Sequence, residues 1–394
     1  MNNRFVWPRI DSNIRQAVLS QLDQSISIYD RSGIIKSFED EFALYHSLTH
    51  ALLCNSGTNA LHSAYVAMNL HKGDEVLVPS YTFFATVTPL LWTGATPVLC
   101  DCDDYGNISI EEIKRKTNKK TRAVVVTHMW GIPCDMENIQ AHCKLKKLLL
   151  LEDCSHAHGA TINGKRVGAF GDLAVWSLQG QKTVTGGEGG ILCTNNAELY
   201  YRAVLLGHYN KRAKQDIPPS HELAKYATTG MGLKYRAHPL AVAIASCLFR
   251  DLDSILKTRN SYAKKITKEL ENCSILQPIV PPTGSTSSWY ALILKLRDKK
   301  IDRERLYKDF IEAGLPDMDI PNSTSPLNLL PLFSKPEGLF PVYKGVFSYK
   351  RGDFPIAEKH YESIIKMPIP SYTDEAPLFD TYIQGIKKVL KKYE

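Results

Sequence analysis

The chain has 394 residues, 44% hydrophobic and 23% charged, and its 48 basic and 41 acidic side chains leave a formal net charge of +7. That length exceeds one typical domain and that composition supports a sizeable core. A thinly spread positive excess, dense only in the paired lysines at 387–388 and 391–392, argues against a nucleic-acid partner. No apolar run approaches the ~20 residues needed to cross a bilayer, and the opening Met1-Asn2-Asn3-Arg4-Phe5 lacks an apolar leader. The nine cysteines are scattered, odd in number and without a CxxC pair, which points to a reducing compartment. A cytoplasmic protein without membrane contact is expected.

In chain order, Phe38, Phe42 and Tyr45 recur at helical spacing among Glu39, Asp40 and Glu41, which predicts an amphipathic helix after a turn at Ser32-Gly33. From residue 51 short apolar runs alternate with helical segments: 51–54, 75–78, 96–100, 123–126, 148–151, 173–176 and 191–194. Continuous apolar runs of this kind are strands buried on both faces, so an α/β fold with a mostly parallel sheet is expected. Each run stops at polar groups. Ligands of open α/β sheets bind outside the carboxyl ends of the strands, so Ser56, Ser80, Asp153 and Lys182 are expected to converge there. Beyond 195 the pattern predicts a helix over 197–206, an extended polar loop over 207–230 and one long helix over 241–265. A half-exposed strand over 289–296 and helices near 303–313 and 375–392 follow.

Several local patterns carry chemistry. Ser56-Gly57-Thr58 opens a helix directly after a strand, a position suited to a phosphate and equally to a plain cap. Lys182 lies between a strand and the glycine cluster Gly186-Gly187-Glu188-Gly189-Gly190, where a lysine can serve as a Schiff-base nucleophile or simply occupy a loop. The cluster lacks the spacing of a dinucleotide fingerprint. Glu152, Asp153, His156 and His158 match no metal motif, and no metal is expected. Cys100-Asp101-Cys102-Asp103-Asp104 reads as a strand end and turn.

Taken together the motifs resemble the DegT/DnrJ/EryC1/StrS family of pyridoxal-phosphate-dependent sugar aminotransferases. They are Ser56 to Leu61, Gly73 to Val76 with Pro79 to Phe83, Glu152 to Gly159, Gly168 to Asp172, Ser177 to Gly190, Gly232 to Arg236 and Phe354 to Glu358, in the family's order. The resemblance implies a fold type I enzyme: a large domain over 1–250 with a mostly parallel seven-stranded sheet, and a smaller C-terminal α+β domain over 251–394. It implies Lys182 as cofactor anchor and proton shuttle, and Asp153 as partner of the pyridinium nitrogen. Gly57, Thr58, Ser177 and Gln179 would cradle the phosphate, Phe83 would stack on the ring, and His156 would line it. Lys234 stands where many members carry an asparagine reaching the cofactor of the partner subunit, so a homodimer is implied too. The implied reaction moves an amino group from glutamate or glutamine to a keto-sugar, with a nucleotide-linked sugar as the leading reading. A sugar dehydratase, a keto-cyclitol or sugar-phosphate aminotransferase and a non-catalytic regulator remain alternatives.

Overall fold

A computed structural model describes residues 4–298 and 300–394; Met1 to Asn3 of the opening segment lie outside the described residues. The first half of the chain supplies strands β1 His50–Cys54, β2 Glu75–Pro79, β3 Thr96–Cys100, β4 Thr121–Thr127 and β5 Leu149–Asp153. A short ribbon, β6 Thr161–Ile162 and β7 Lys165–Arg166, precedes β8 Leu173–Ser177 and β9 Gly190–Thr194. Then come β10 Leu276–Pro278, β11 Ser285–Thr286, β12 Leu292–Leu296 and β13 Ile364–Met367. Seven of these form one sheet in the order β1-β9-β8-β5-β4-β2-β3, in which only β9 runs against its neighbours. All seven apolar runs read from the sequence are its strands. Val76, Val78, Val124, Val125 and Leu151 are fully buried, as strands covered on both faces require, and each such side chain contributes about 1.5–3 kcal/mol.

The helices around this sheet are α1 Ser12–Gln24, α2 Gly33–Tyr45, α3 Gly57–Ala67, α4 Ile110–Lys116, α5 Met136–Lys146, α6 Ala197–Gly207, α7 Asn210–Asp216 and α8 Pro239–Arg250. A second sheet, β10-β12-β13, packs with α9 Leu252–Glu269, α10 Arg303–Glu312 and α13 Ala376–Leu390 around Ile266, Leu292, Phe310 and Phe379. The short helices α11 Pro331–Ser334 and α12 Pro355–Glu362 lie between α10 and β13 in the chain.

Three expectations need correction. The helix predicted over 241–265 is two, α8 and α9, broken at Asp251. Apolar periodicity runs on across the break, while an aspartate favours caps over helix interiors. The polar stretch 207–230 contains α7, because Arg212 inside it is buried against acidic partners. The strand after Tyr290 is buried on both faces: Leu292 and Leu294 face the second core, while Ile293 packs into the main one. The amphipathic helix read around Phe38 is α2, and within it Glu39 is fully buried, held by Arg212 at 2.9 Å and accepting from the Leu53 amide.

The chain's start runs across both parts. The Phe5 amide donates to Asp317, the Val6 amide to Glu375 and the Arg9 amide to the Tyr372 hydroxyl, while the Trp7 indole donates to the carbonyl of Lys182. These bonds lay the N-terminal segment against the turn after α10 and the start of α13 and tie it to the lysine's own backbone.

Candidate active site

A cavity of about 340 Å³ opens beyond the carboxyl ends of β1, β4, β5 and β8. Gly57, Thr58, Phe83, Asp153, His156, Ser177, Gln179 and Lys182 all line it. Ser56 does too, but Ser80 does not: its amide donates to Cys100 and its carbonyl accepts from Leu327, burying it behind the wall. Lys234 is exposed and lies outside the cavity, with its Nζ 5.9 Å from the Tyr209 ring.

One end of the cavity is the start of α3. The Ser56 hydroxyl accepts from the Asn59 amide and caps the helix. The amides of Gly57 and Thr58, at the first two helical positions, have no intrahelical acceptor. Two glycines bring this helix end against the end of β8. A Cβ on Gly57 would sit 2.7 Å from Ser177 Cβ, and one on Gly190 would sit 2.4 Å from the carbonyl oxygen of Ser56. Free amides, the positive helix end and the Ser177 hydroxyl thus meet in one place, which suits a phosphate. The Gln179 side-chain oxygen already accepts the Gln181 amide, and its backbone carbonyl accepts the Lys182 amide, so Gln179 shapes the turn that presents the lysine.

At the other end stands Asp153, the last residue of β5. Its Oδ2 accepts from the Thr86 hydroxyl at 2.7 Å and its Oδ1 from the Ser155 amide at 3.1 Å. Thr86 belongs to a buried hydroxyl cluster with Thr82 and Thr127. Those bonds fix the carboxylate's orientation. Lys182 lies between the two ends. Among the described residues its Nζ has no hydrogen bond and no ion pair within 4.0 Å, and it stands 4.6 Å from the Tyr290 ring centroid. Burial lowers its pKa to about 8; the field of Asp153 works against that shift and Lys366 adds to it. The amine is therefore a usable nucleophile near neutral pH.

His156 is stacked on Tyr290, with ring centroids 4.2 Å apart and planes at 12°, and Trp130 lies 5.4 Å further on. Burial drives its pKa well below the ordinary histidine range, so the ring is neutral, and its Nδ1 has no partner among the described residues. Phe83, partly exposed, tilts against Phe84 at 4.2 Å beside the cavity. Trp130 holds a left-handed backbone conformation, φ 57°, a strain typical of functional walls.

Sequence reading missed Thr86, Trp130, Tyr290, Asp319 and Lys366, all in the cavity wall. The strand-end rule places Thr127, and through it the threonine cluster, within reach of inference; Tyr290 and Lys366 carry no local signal. His128, Glu152 and Cys154 come close enough to hold a metal. Glu152, however, accepts from the amides of Gly168, Phe170 and Gly171, and His128 Nδ1 accepts from the Cys134 amide. His128 Nε2 therefore carries the proton toward Glu152, and the trio is a structural network.

Residues 8–378 match the DegT/DnrJ/EryC1/StrS aminotransferase family. Over 387 residues the chain is 30% identical to a GDP-perosamine synthase of Vibrio cholerae, covering 98% of this chain and 97% of that protein. It is also 30% identical over 368 residues to a dTDP-3-amino-3,6-dideoxy-alpha-D-galactopyranose transaminase of Aneurinibacillus thermoaerophilus, at 93% and 92% coverage. Among solved structures, an aminotransferase from Psychrobacter cryohalolentis is similar with a TM-score of 0.85 and 27% identity over 99% of each chain. The chain belongs to the DegT/DnrJ/EryC1/StrS aminotransferase family and is a pyridoxal-phosphate-dependent sugar aminotransferase.

Proposed function

We propose that the chain transfers an amino group from glutamate or glutamine to a keto-sugar carried on a nucleotide. The observation that carries this reading is the unpaired Lys182 amine in one cavity with Asp153 and the free amides of α3. The named relatives, one acting in GDP-sugar and one in dTDP-sugar chemistry, support the nucleotide-linked acceptor.

The residues present fit pyridoxal phosphate. Gly57, Thr58, Ser177 and Gln179 would hold its phosphate, Asp153 its ring nitrogen, and Phe83 and His156 its ring faces. When bound, the cofactor supplies an electron sink for negative charge on the carbon that loses a proton. Lys182 would anchor the cofactor through Nζ and afterwards accept and return the proton at the same atom. Its lowered pKa keeps an appreciable fraction in the basic form at the pH of the cell. Thr86 orients Asp153, and neutral His156 adds no charge that would compete with it.

Three further readings belong to this proposal. The boundary between the large and small domains falls at Asp251, where α8 gives way to α9. The enzyme works as a homodimer in the cytoplasm; exposed Tyr226, Met231 and Leu233 near exposed Lys234 support an interface there, with Lys234 reaching the partner's cofactor. Among the described residues no helix is long and apolar enough to cross a membrane.

Borohydride reduction of the yellow holoenzyme should fix the cofactor to a peptide containing Lys182. Incubation with glutamate and nucleotide-linked keto-sugars should give a product whose mass reports an amine in place of the carbonyl oxygen. A deoxygenated product would favour a dehydratase, and normal turnover by Lys182→Ala would end the proposal.

A further inference from the structure

A second cavity of about 240 Å³ lies under the N-terminal segment and adjoins the first; Gln181, Tyr290 and Lys366 wall both. Arg259 of α9 forms part of its lining and is only 4% exposed. Its Nε donates to the Ser371 hydroxyl at 3.0 Å, and its Nη1 donates to the Thr183 hydroxyl at 2.9 Å and the Trp289 carbonyl at 3.3 Å. Every one of these acceptors is neutral. Among the described residues no carboxylate lies within 4.0 Å of the guanidinium, and Nη2 has no protein partner.

The other charges around this cavity are already balanced. Glu375 accepts from the amides of Val6, Ser371 and Tyr372 and pairs with Arg9 at 3.4 Å. Asp317 accepts from the Phe5 amide and the Tyr382 hydroxyl and lies 3.9 Å from Arg4. Lys366 pairs with Asp319 at 2.7 Å. Arg212, an equally buried arginine, is held by two carboxylates. Arg259 has none, and burial lowers its pKa to about 10, which leaves it charged at neutral pH. A buried cation without a counter-ion is costly, and a guanidinium fork matches a carboxylate.

We propose that this cavity receives a carboxylate of the amino-acid donor, with Arg259 as its counter-charge. The proposal rests on the transamination reading and identifies where the donor is recognised. Its placement follows from two contacts: Arg259 grips Thr183, the residue after Lys182, and Tyr290 walls both cavities 4.6 Å from the lysine amine. A donor with its amino group at Lys182 has its carboxylates only a few bonds away. The Trp7 indole, 5.1 Å over the guanidinium, covers the pocket and keeps the local dielectric low.

Calorimetric titration of the holoenzyme with glutarate, and separately with inorganic phosphate, tests it. Saturable glutarate binding is expected, weakened at least 10-fold in Arg259→Met and partly restored in Arg259→Lys. Gln181→Glu, at an exposed wall position, should weaken glutarate similarly without threatening the fold. No glutarate binding to the wild type, or tighter binding of phosphate that depends on Arg259, would overturn the proposal. Bleaching of the cofactor by glutamate, glutamine and alanine then identifies the carboxylate. A raised KM for glutamate alone in the variants assigns the side-chain carboxylate, an equal rise for all three assigns the α-carboxylate, and no rise for any rejects both. Bleaching by no amino acid, even in the wild type, would instead remove the transamination reading, which separates the two failures.

Discussion

Replacing Lys182 with methionine should stabilise the cofactor-free protein. The side chain lines a cavity yet has no ionic partner within 4.0 Å among the described residues, and its pKa falls from 10.5 to about 8. A shift of that size corresponds to about 3 kcal/mol at ~1.4 kcal/mol per unit, an upper bound because the amine retains some contact with water in the cavity. Losing the attraction between the ammonium and the Tyr290 ring offsets about 0.5–1 kcal/mol. Methionine nearly conserves the volume, so a net gain of about 2 kcal/mol is expected at pH 7. Because the folded pKa lies below the unfolded one, the cost to the wild type is full below pH 8, where both states hold the proton. Between pH 8 and 10.5 only the unfolded state does, so wild-type stability climbs with pH and the advantage of methionine fades. Urea midpoints of both cofactor-free proteins at pH 7 and pH 10 measure this. A wild type more stable at pH 7, or a gap that widens at pH 10, would refute the account of a lysine whose basicity burial has lowered.

Two further substitutions probe the frame. Gly57→Ala would gain about 1 kcal/mol by helix propensity alone, but its Cβ would lie 2.7 Å from Ser177 Cβ and 3.0 Å from Ser177 Cα. A net loss of about 1–3 kcal/mol and at least 10-fold weaker pyridoxal phosphate binding are expected, read by urea titration and cofactor titration; a more stable variant would contradict the close approach. Arg212→Met leaves Asp216 without its cation and fully buried Glu39 with Arg31 alone, 3.3 Å away, and should cost about 3 kcal/mol in denaturant unfolding, with much of it recovered in the double variant Glu39→Gln/Arg212→Met.

The main sheet was legible because its physics is local. A strand covered on both faces must be apolar throughout, and runs such as 123–126 admit few other readings. The same rule located much of the cavity, since a parallel sheet delivers its strand ends to one edge and Asp153 and Ser177 are last residues of their strands. What failed was whatever depends on a partner distant in sequence. Glu39 sits among acidic neighbours that face solvent, and nothing within its own helix announces that Arg212, 173 positions away, will be buried against it. Ile293 likewise looks like one side of a half-exposed strand until the main core packs onto that face.

Lys182 shows how the two kinds of information combine. The glycines after it are read easily as freedom for a turn, but the consequential one, Gly190, acts by letting the start of β9 pass 2.4 Å (as a would-be Cβ contact) from the Ser56 carbonyl. That approach sets the start of α3 beside Ser177, so the phosphate-binding end of the cavity depends on residues flanking the lysine turn. The other end depends on Thr86, which fixes Asp153, and the wall on Tyr290 from the far side of the chain. The lysine's depressed pKa follows from this enclosure and not from its immediate sequence. A glycine-flanked lysine on an open loop would keep its ordinary basicity and be a poor nucleophile at neutral pH.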